Sequence, residues 1–289
     1  MKQHPAAGRL AALLCAGWTA TWPASPAAAQ PRASTPRTDD ITVVSLNLWH
    51  DAHDWPARLA RIVAGLRALD PDVICLQEVL QNPVLPNQAA TIADSLGCAY
   101  RFVSVDGEER PKRYGNAILT RHPLLADGGK FLLPLNDWRV VAHVRVDVRG
   151  RALDVYDTHL HHTPEGGAIR AEQIRDLLAY VDSTRGDGPA VLAGDFNCEL
   201  GSPEMRPLER DWLDAFAATH PRVRGEQAAT MNPRFDGGAA RAIDHVFVPR
   251  RGRLVPREAE ILFRDCGPDS VWASDHYGVL ARLGSPDSR

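Results

Sequence analysis

Apolar positions along this chain run through three spacings before residue 80. In Ile41 to Leu48 apolar and polar residues alternate closely enough to predict a strand with one face turned inward. Leu59, Ile62, Val63, Leu66 and Leu69 then recur at intervals of three and four, which lines one face of a helix over Pro56 to Leu69. Pro56 suits a first helical turn and Asp70-Pro71 ends the helix. Val73 to Leu76 is apolar throughout, as a short buried strand requires. The unit is strand, helix, strand, with Asn47 and Glu78 at the two strand ends.

Further runs rich in Val and Ile, bounded by Gly, Pro or Asp, predict strands at Asn116 to Leu119, Val140 to Val148, Leu153 to Tyr156, Val191 to Ala193, Ile243 to Val248 and Val279 to Leu283. Ala168 to Val181 reads as a helix with Ile174, Leu177, Leu178 and Val181 on its apolar side, and Ser202-Pro203-Glu204 as the start of a short one. Phe131 to Leu135 is an apolar run best read as core. The pattern by itself supports a strand-rich mixed α and β fold.

The first 29 residues follow another plan. Lys2 and Arg9 make a basic start, Leu10 to Ala20 is apolar, and Ala27-Ala28-Ala29 places small residues ahead of Gln30. That three-part order is that of a secretory signal peptide. Cys15 follows Leu13-Leu14 rather than a small residue, which argues against a lipid anchor. No later stretch approaches the roughly 18 to 20 apolar residues that span a bilayer. Residues 30–40 are polar and contain proline, a linker with nothing to bury. The expectation is a periplasmic or secreted monomer without a membrane anchor, folded as a single catalytic domain over residues 41–289.

Charge narrows the partners only a little. Without Lys2 and Arg9 the 33 basic residues become 31 against 36 acidic ones, a net charge of −5. Capture of nucleic acid by the whole surface is therefore not favoured, although a local basic groove or a bound cation can still do it. Cys75, Cys98, Cys198 and Cys266 remain beyond the leader. Four cysteines allow three full pairings, the sequence does not choose among them, and their spacing is not that of a zinc site. Cys75, inside Val73 to Leu76, is best read as a buried small hydrophobe.

Chemistry enters through polar clusters at the ends of strand-like runs: Leu46-Asn47-Leu48, Leu76-Gln77-Glu78, Asp157-Thr158-His159-Leu160, Gly194-Asp195-Phe196-Asn197 and Ser274-Asp275-His276, with Arg241 to His245 leading into the last. They supply acidic, amide and imidazole groups and no activated serine or cysteine. Such an inventory holds a hard cation and attacks a phosphoester with water. In order and wording the clusters resemble the endonuclease/exonuclease/phosphatase superfamily, from about Ile41 to about Leu283. The resemblance implies an α+β fold, a four-layer α/β/β/α sandwich of two packed mixed sheets flanked by helices. It also implies a divalent-metal-dependent phosphoesterase using Mg2+, with Mn2+ as the alternative.

A carboxylate ending a buried run is costly to desolvate unless something pairs with it. By resemblance Glu78 is the principal metal ligand, Asn47 assists with a neutral oxygen, and Asp275 lies near the metal or water. Asp195 and Asn197, two positions apart after a strand, can point to the same side. Asp195 is expected to orient or deprotonate water, and Asn197 to donate to a phosphate oxygen. Asp244 is a better partner for His276 than the adjacent Asp275, which faces the opposite way on an extended segment. A carboxylate on one ring nitrogen fixes the tautomer and raises the basicity of the other. His276 acts as base or as stabiliser of charge at phosphorus, and the sequence leaves both open. His159 matches a family histidine that contacts phosphate or aids the leaving group. His161 and His162 are expected as loop residues, with Zn or Mn binding by the His-rich run as the alternative. Asn116 and Arg139 are weaker candidates for phosphate contacts.

Substrates consistent with these features are nucleic acid, phospholipid or sphingolipid head groups, and soluble phosphates. The alternative from another class is a catalytically inactive binding protein that keeps the fold.

Overall fold

A computed structural model of the chain describes residues 39–267 and 269–286. The expected leader and nearly all of the linker lie outside the described residues. The strands are β1 (Ile41–Asn47), β2 (Val73–Gln81), β3 (Ala99–Ser104), β4 (Arg113–Thr120), β5 (Leu124–Phe131), β6 (Val140–Val148), β7 (Arg151–His159), β8 (Ala190–Asp195), β9 (Trp212–Asp214), β10 (Asp244–Pro249), β11 (Val255–Leu262) and β12 (Gly278–Gly284). The helices are α1 (Trp55–Leu69), α2 (Gln88–Leu96), α3 (Gly167–Thr184), α4 (Arg206–Asp211) and α5 (Ala215–Thr219). Two six-stranded sheets form, in the orders β11-β12-β1-β2-β4-β3 and β5-β6-β7-β8-β10-β9.

Alternation along the strands builds the layers. In β1, Val43 joins the core between the sheets while Val44 and Leu46 pack outward against α1 and α2. In β6, Ala142, Val144, Val146 and Val148 face the other sheet and Val141 faces α3. The result is the expected α/β/β/α sandwich. Ile62 and Leu66 of α1 are fully buried against Ile74 and Leu76, each stabilising by about 1.5 to 3 kcal/mol. Asp54 caps α1 by accepting from the Ala57 N–H, and Asp70 closes it in a left-handed conformation. Among the described residues no helix is long and apolar enough to cross a membrane.

Every expected strand and helix is present, with ends shifted by a few residues. The strands that the pattern did not announce, β3, β5, β9 and β11, are the four edges of the two sheets. An edge strand buries less, so its apolar alternation is weak: β5 reads LLADGGKF with most positions exposed. Phe131 to Leu135 departs from the core expectation. Leu132 alone is fully buried, while Phe131, Leu133 and Leu135 are exposed, because the run leaves edge strand β5 and turns at Pro134. The four described cysteines are unpaired, and Cys75 is buried in the core between the sheets.

Candidate active site

β1 runs parallel to β2 and β7 to β8, so all four send their last residues to one rim of the sandwich. β10 runs antiparallel to β8 and begins there, with Asp244 directly opposite Asp195, while His159 pairs with Asp195 from the other side. His276 enters the same rim just ahead of β12, whose Val279 pairs with Ser45 of β1. Asn47 and His276, 276 − 47 = 229 positions apart in sequence, are thus delivered to one rim.

Glu78 reaches this rim through a bulge. Between Leu76 and Val79 the β2–β4 register shifts by a residue, and Glu78 takes a left-handed φ of 56°, a conformation that costs a non-glycine residue on the order of 1 kcal/mol or more. Gln77 consequently turns inward, where its amide donates to Asp157 of the other sheet at 2.6 Å. The Asn47 amide nitrogen donates to Glu78 at 3.2 Å and to Asp195 at 3.0 Å, bracing two acids from opposite sheets. Its oxygen accepts from the Trp49 N–H at 2.9 Å. The group Asn47 turns toward the acids is therefore its nitrogen, not the neutral oxygen donor expected.

Glu78, Arg139, His159, Asp195, Asn197, Asp275 and His276 line one cleft of about 560 Å3. Asp244 stands behind it and holds His276 Nδ1 at 2.9 Å, both side chains being buried. The opposite ring nitrogen, Nε2, lies 3.8 Å from Asp195, and His159 Nε2 lies 3.5 Å from the same oxygen. Asn197 bonds back to Asp195 through its backbone N–H at 2.9 Å and donates one amide hydrogen to the Leu160 carbonyl. The second amide hydrogen remains for the cleft. Asn116 departs from expectation: it is buried away from the cleft and its amide donates to the Val140 carbonyl, tying the sheets together beside Arg139. That bond satisfies a buried amide without any phosphate.

Charge is distributed unevenly over these groups. Burial opposes a charge on His276, but Asp244 and Asp195 outweigh it and raise its pKa well above the ordinary imidazole value. Burial lowers His159 far below that value, and Arg139 adds to the effect. The two imidazoles are thus shifted in opposite directions by their surroundings. Burial, then Asp244, pushes the Asp195 carboxyl up, against the pull of His276. Asp275 is raised chiefly by burial, with Glu78 adding repulsion.

Two acid groups invite a cation. Asp195, Asp244 and His276 offer donor atoms within 4.8 Å of one another, but the His276 ring is already hydrogen-bonded to Asp244, so this trio holds a proton. Glu78 and Asp275 repel each other across the open cleft, and a hard divalent ion would relieve that repulsion with two carboxylates and water. The donor set fits. Among the described residues no three-ligand cluster forms around His159, His161 and His162. His161 is pinned between Asp137 at 2.6 Å and Thr163 at 2.8 Å, and His162 sits at the cleft wall 3.3 Å from Arg139.

Several cleft residues were given no role by the sequence. Tyr114, Arg241 and His50 line the walls with Glu78, and Trp138 stands at the rim, 64% exposed. Thr230 is hidden below. Its hydroxyl accepts the N–H groups of Ile243 and Asp244, and its carbonyl accepts from Tyr277, locking the two segments that deliver Asp244 and His276.

This constellation, on this fold, belongs to a known group. Residues 44–276 match the Endonuclease/Exonuclease/phosphatase family, and the chain belongs to it. It is a phosphoric ester hydrolase of the divalent-metal-dependent kind. The chain is similar to tyrosyl-DNA phosphodiesterase 2 of Rattus norvegicus, 24% identical over 85% of this chain and 68% of the relative. It is also similar to nocturnin of Drosophila melanogaster, 31% identical over 65% of this chain and only 31% of that longer protein. In structure it is similar to an endonuclease/exonuclease/phosphatase from Bacteroides vulgatus, with a TM-score of 0.71, 20% identity, and coverage of 86% of this chain and 99% of the other.

Proposed function

We propose that this chain is an exported phosphodiesterase that cleaves nucleic acid strands, with one catalytic domain behind a removable leader. The observation that carries the substrate reading is Trp138. Its exposed ring, on the residue preceding Arg139, stands where the catalytic cleft meets an adjoining one of about 670 Å3, lined by Arg110 and Lys112 and also by Asp106 and Glu109. An aromatic face next to a guanidinium suits a base stacked beside its phosphate. The similarity to a tyrosyl-DNA phosphodiesterase supports the same substrate class.

In this reading Glu78 and Asp275 hold the divalent cation, Mg2+ first and Mn2+ as the alternative, and Asn47 keeps Glu78 in place. The cation would polarise the phosphoryl oxygen and lower the pKa of water. Asp195, whose carboxyl burial makes more basic, orients water for in-line attack and takes its proton. His276, held cationic by Asp244, stabilises negative charge at phosphorus. The second hydrogen of the Asn197 amide, neutral His159 and Arg139 supply the remaining donors to phosphate oxygens and the leaving group.

The exposed Phe131, Leu133 and Leu135 near Trp138 favour a second reading, a lipid phosphodiester whose chains lie on that patch. Product release from plasmid DNA, sphingomyelin vesicles and bis-p-nitrophenyl phosphate, each with Mg2+, Mn2+ or EDTA, separates the two. Metal-dependent nicking of DNA with intact vesicles is the expected result. Cleavage of sphingomyelin alone would replace the nucleic acid reading with the lipid one.

A further inference from the structure

Arg58 of α1 is among the largest fully buried side chains, 2% exposed, and every hydrogen-bond partner of its guanidinium is a backbone carbonyl. Nε donates to Ala52 at 3.0 Å, Nη1 to Leu48 at 2.6 Å and Ala273 at 3.0 Å, and Nη2 to Trp49 at 3.2 Å and His50 at 2.7 Å. All five donors of the fork are used. The Trp49 and Trp55 rings lie 5.4 and 5.2 Å from its centre. The loop it gathers is unusual, since Trp49, His50 and His53 all have left-handed φ values. Such a loop persists only where its surroundings over-determine it.

Both ends of this clamp lead to the acids of the cleft. The Leu48 N–H donates to the Gln77 carbonyl at 3.0 Å, one residue from Glu78. Ala273 precedes Ser274, whose hydroxyl shares its one hydrogen between the Asn47 carbonyl at 2.7 Å and, more weakly, Asp275 at 3.2 Å. We propose that Arg58 is a positioning residue whose carbonyl clamp sets the spacing of Glu78 and Asp275, and so the affinity of the site for a divalent ion. The proposal rests on the reading of those two carboxylates as the ion's ligands.

Charge and position act in opposite directions here. A buried cation near Glu78 and Asp275 repels a metal, so loss of its charge alone would tighten binding. Arg58→Lys keeps the charge and removes the fork. The test is Mn2+ binding by calorimetry to the purified mature chain, with thermal melts in EDTA to establish folding. Arg58→Lys is expected to weaken Mn2+ binding about tenfold, as loss of a support behind a ligand does. Arg170→Lys is the control. Arg170 is also buried, 4% exposed, and ties the His161, Thr163 and Pro164 carbonyls to Glu204, away from Glu78. It should melt earlier and bind Mn2+ within about twofold of the parent.

An unchanged Mn2+ affinity in Arg58→Lys, with binding abolished by Glu78→Gln, overturns the clamp and leaves the ligand reading standing. Mn2+ binding that survives Glu78→Gln overturns both. Should Arg58→Lys not fold, Gln88→Met decides. It removes the 2.8 Å bond that the Gln88 side chain adds to the same His50 carbonyl, together with the 2.9 Å bond its amide oxygen accepts from the Leu80 N–H of β2. A loss of about threefold, roughly half the free energy of a tenfold change, is expected, and no loss overturns the proposal.

Discussion

Asp244→Asn tests the pairing on which the chemistry of this cleft depends. The Asp244 carboxylate meets His276 Nδ1 at 2.9 Å with both side chains buried, and its other oxygen has no hydrogen-bond partner. An asparagine there has two poor choices. With its oxygen toward His276, the amide nitrogen replaces the unpartnered oxygen as a buried donor without acceptor. With its nitrogen toward His276, two donors face each other and the ring must adopt the other tautomer. In both cases the cationic ring loses its charged acceptor, a bond of about 1.5 to 3 kcal/mol. At 1.36 kcal/mol per factor of ten, this predicts a fall in kcat of about 10- to 150-fold. The assay is turnover of bis-p-nitrophenyl phosphate at saturating Mn2+, with a thermal melt to show that the variant is folded. A folded Asp244→Asn enzyme with kcat within about threefold of the parent would refute the role given to the pair.

Trp138→Ala should raise KM for a single-stranded oligonucleotide by about 5- to 150-fold, the equivalent of roughly 1 to 3 kcal/mol of base stacking. Steady-state assays checking it should find a smaller effect on bis-p-nitrophenyl phosphate, and equal effects on both substrates would contradict stacking. Gly194 has a φ of 140°, and a Cβ there would lie 1.9 Å from the Thr158 carbonyl oxygen. Gly194→Ala must therefore displace β8 from β7 just before Asp195, lowering both Tm and kcat; unchanged values in a melt and a turnover assay would sink that argument. Away from the cleft, burial opposes ionisation of Asp154, but hydrogen bonds from His143, Arg145 and the Gly186 N–H outweigh it and lower its pKa. Its contribution is present above the ordinary carboxyl value and is lost as pH falls through the lowered one. Asp154→Asn should thus cost about 1 to 3 kcal/mol at pH 6, or some 2 to 4 °C in Tm per kcal/mol. Melts repeated at lower pH should show the gap to the parent shrinking, and a gap that widens would be inconsistent with this sign.

What the sequence revealed and what it hid divide along physical lines. The central strands were legible because they are buried on both faces, so Val73 to Leu76 and Val191 to Ala193 read as apolar runs. The four edge strands were hidden for the complementary reason. Glu78, Asp195 and His276 were legible as polar residues placed where a strand ends. Asn47 and Asn116 were legible as residues but not in their geometry, because which way an amide turns depends on neighbours such as the Trp49 N–H and the Val140 carbonyl. Trp138 and Thr230 gave no signal because their roles arise from contacts between segments distant in sequence.

The most direct test of the central claim, that strand ends from both sheets form one metal-dependent hydrolytic site, is the turnover of three purified proteins. The parent, Glu78→Gln and His276→Ala should be assayed on one phosphodiester over a Mn2+ titration, each with its melt in EDTA. The account predicts three folded proteins of which only the parent turns over appreciably, with the residual activity of Glu78→Gln no longer following Mn2+. Full activity in His276→Ala, or an unchanged Mn2+ dependence in Glu78→Gln, would contradict it.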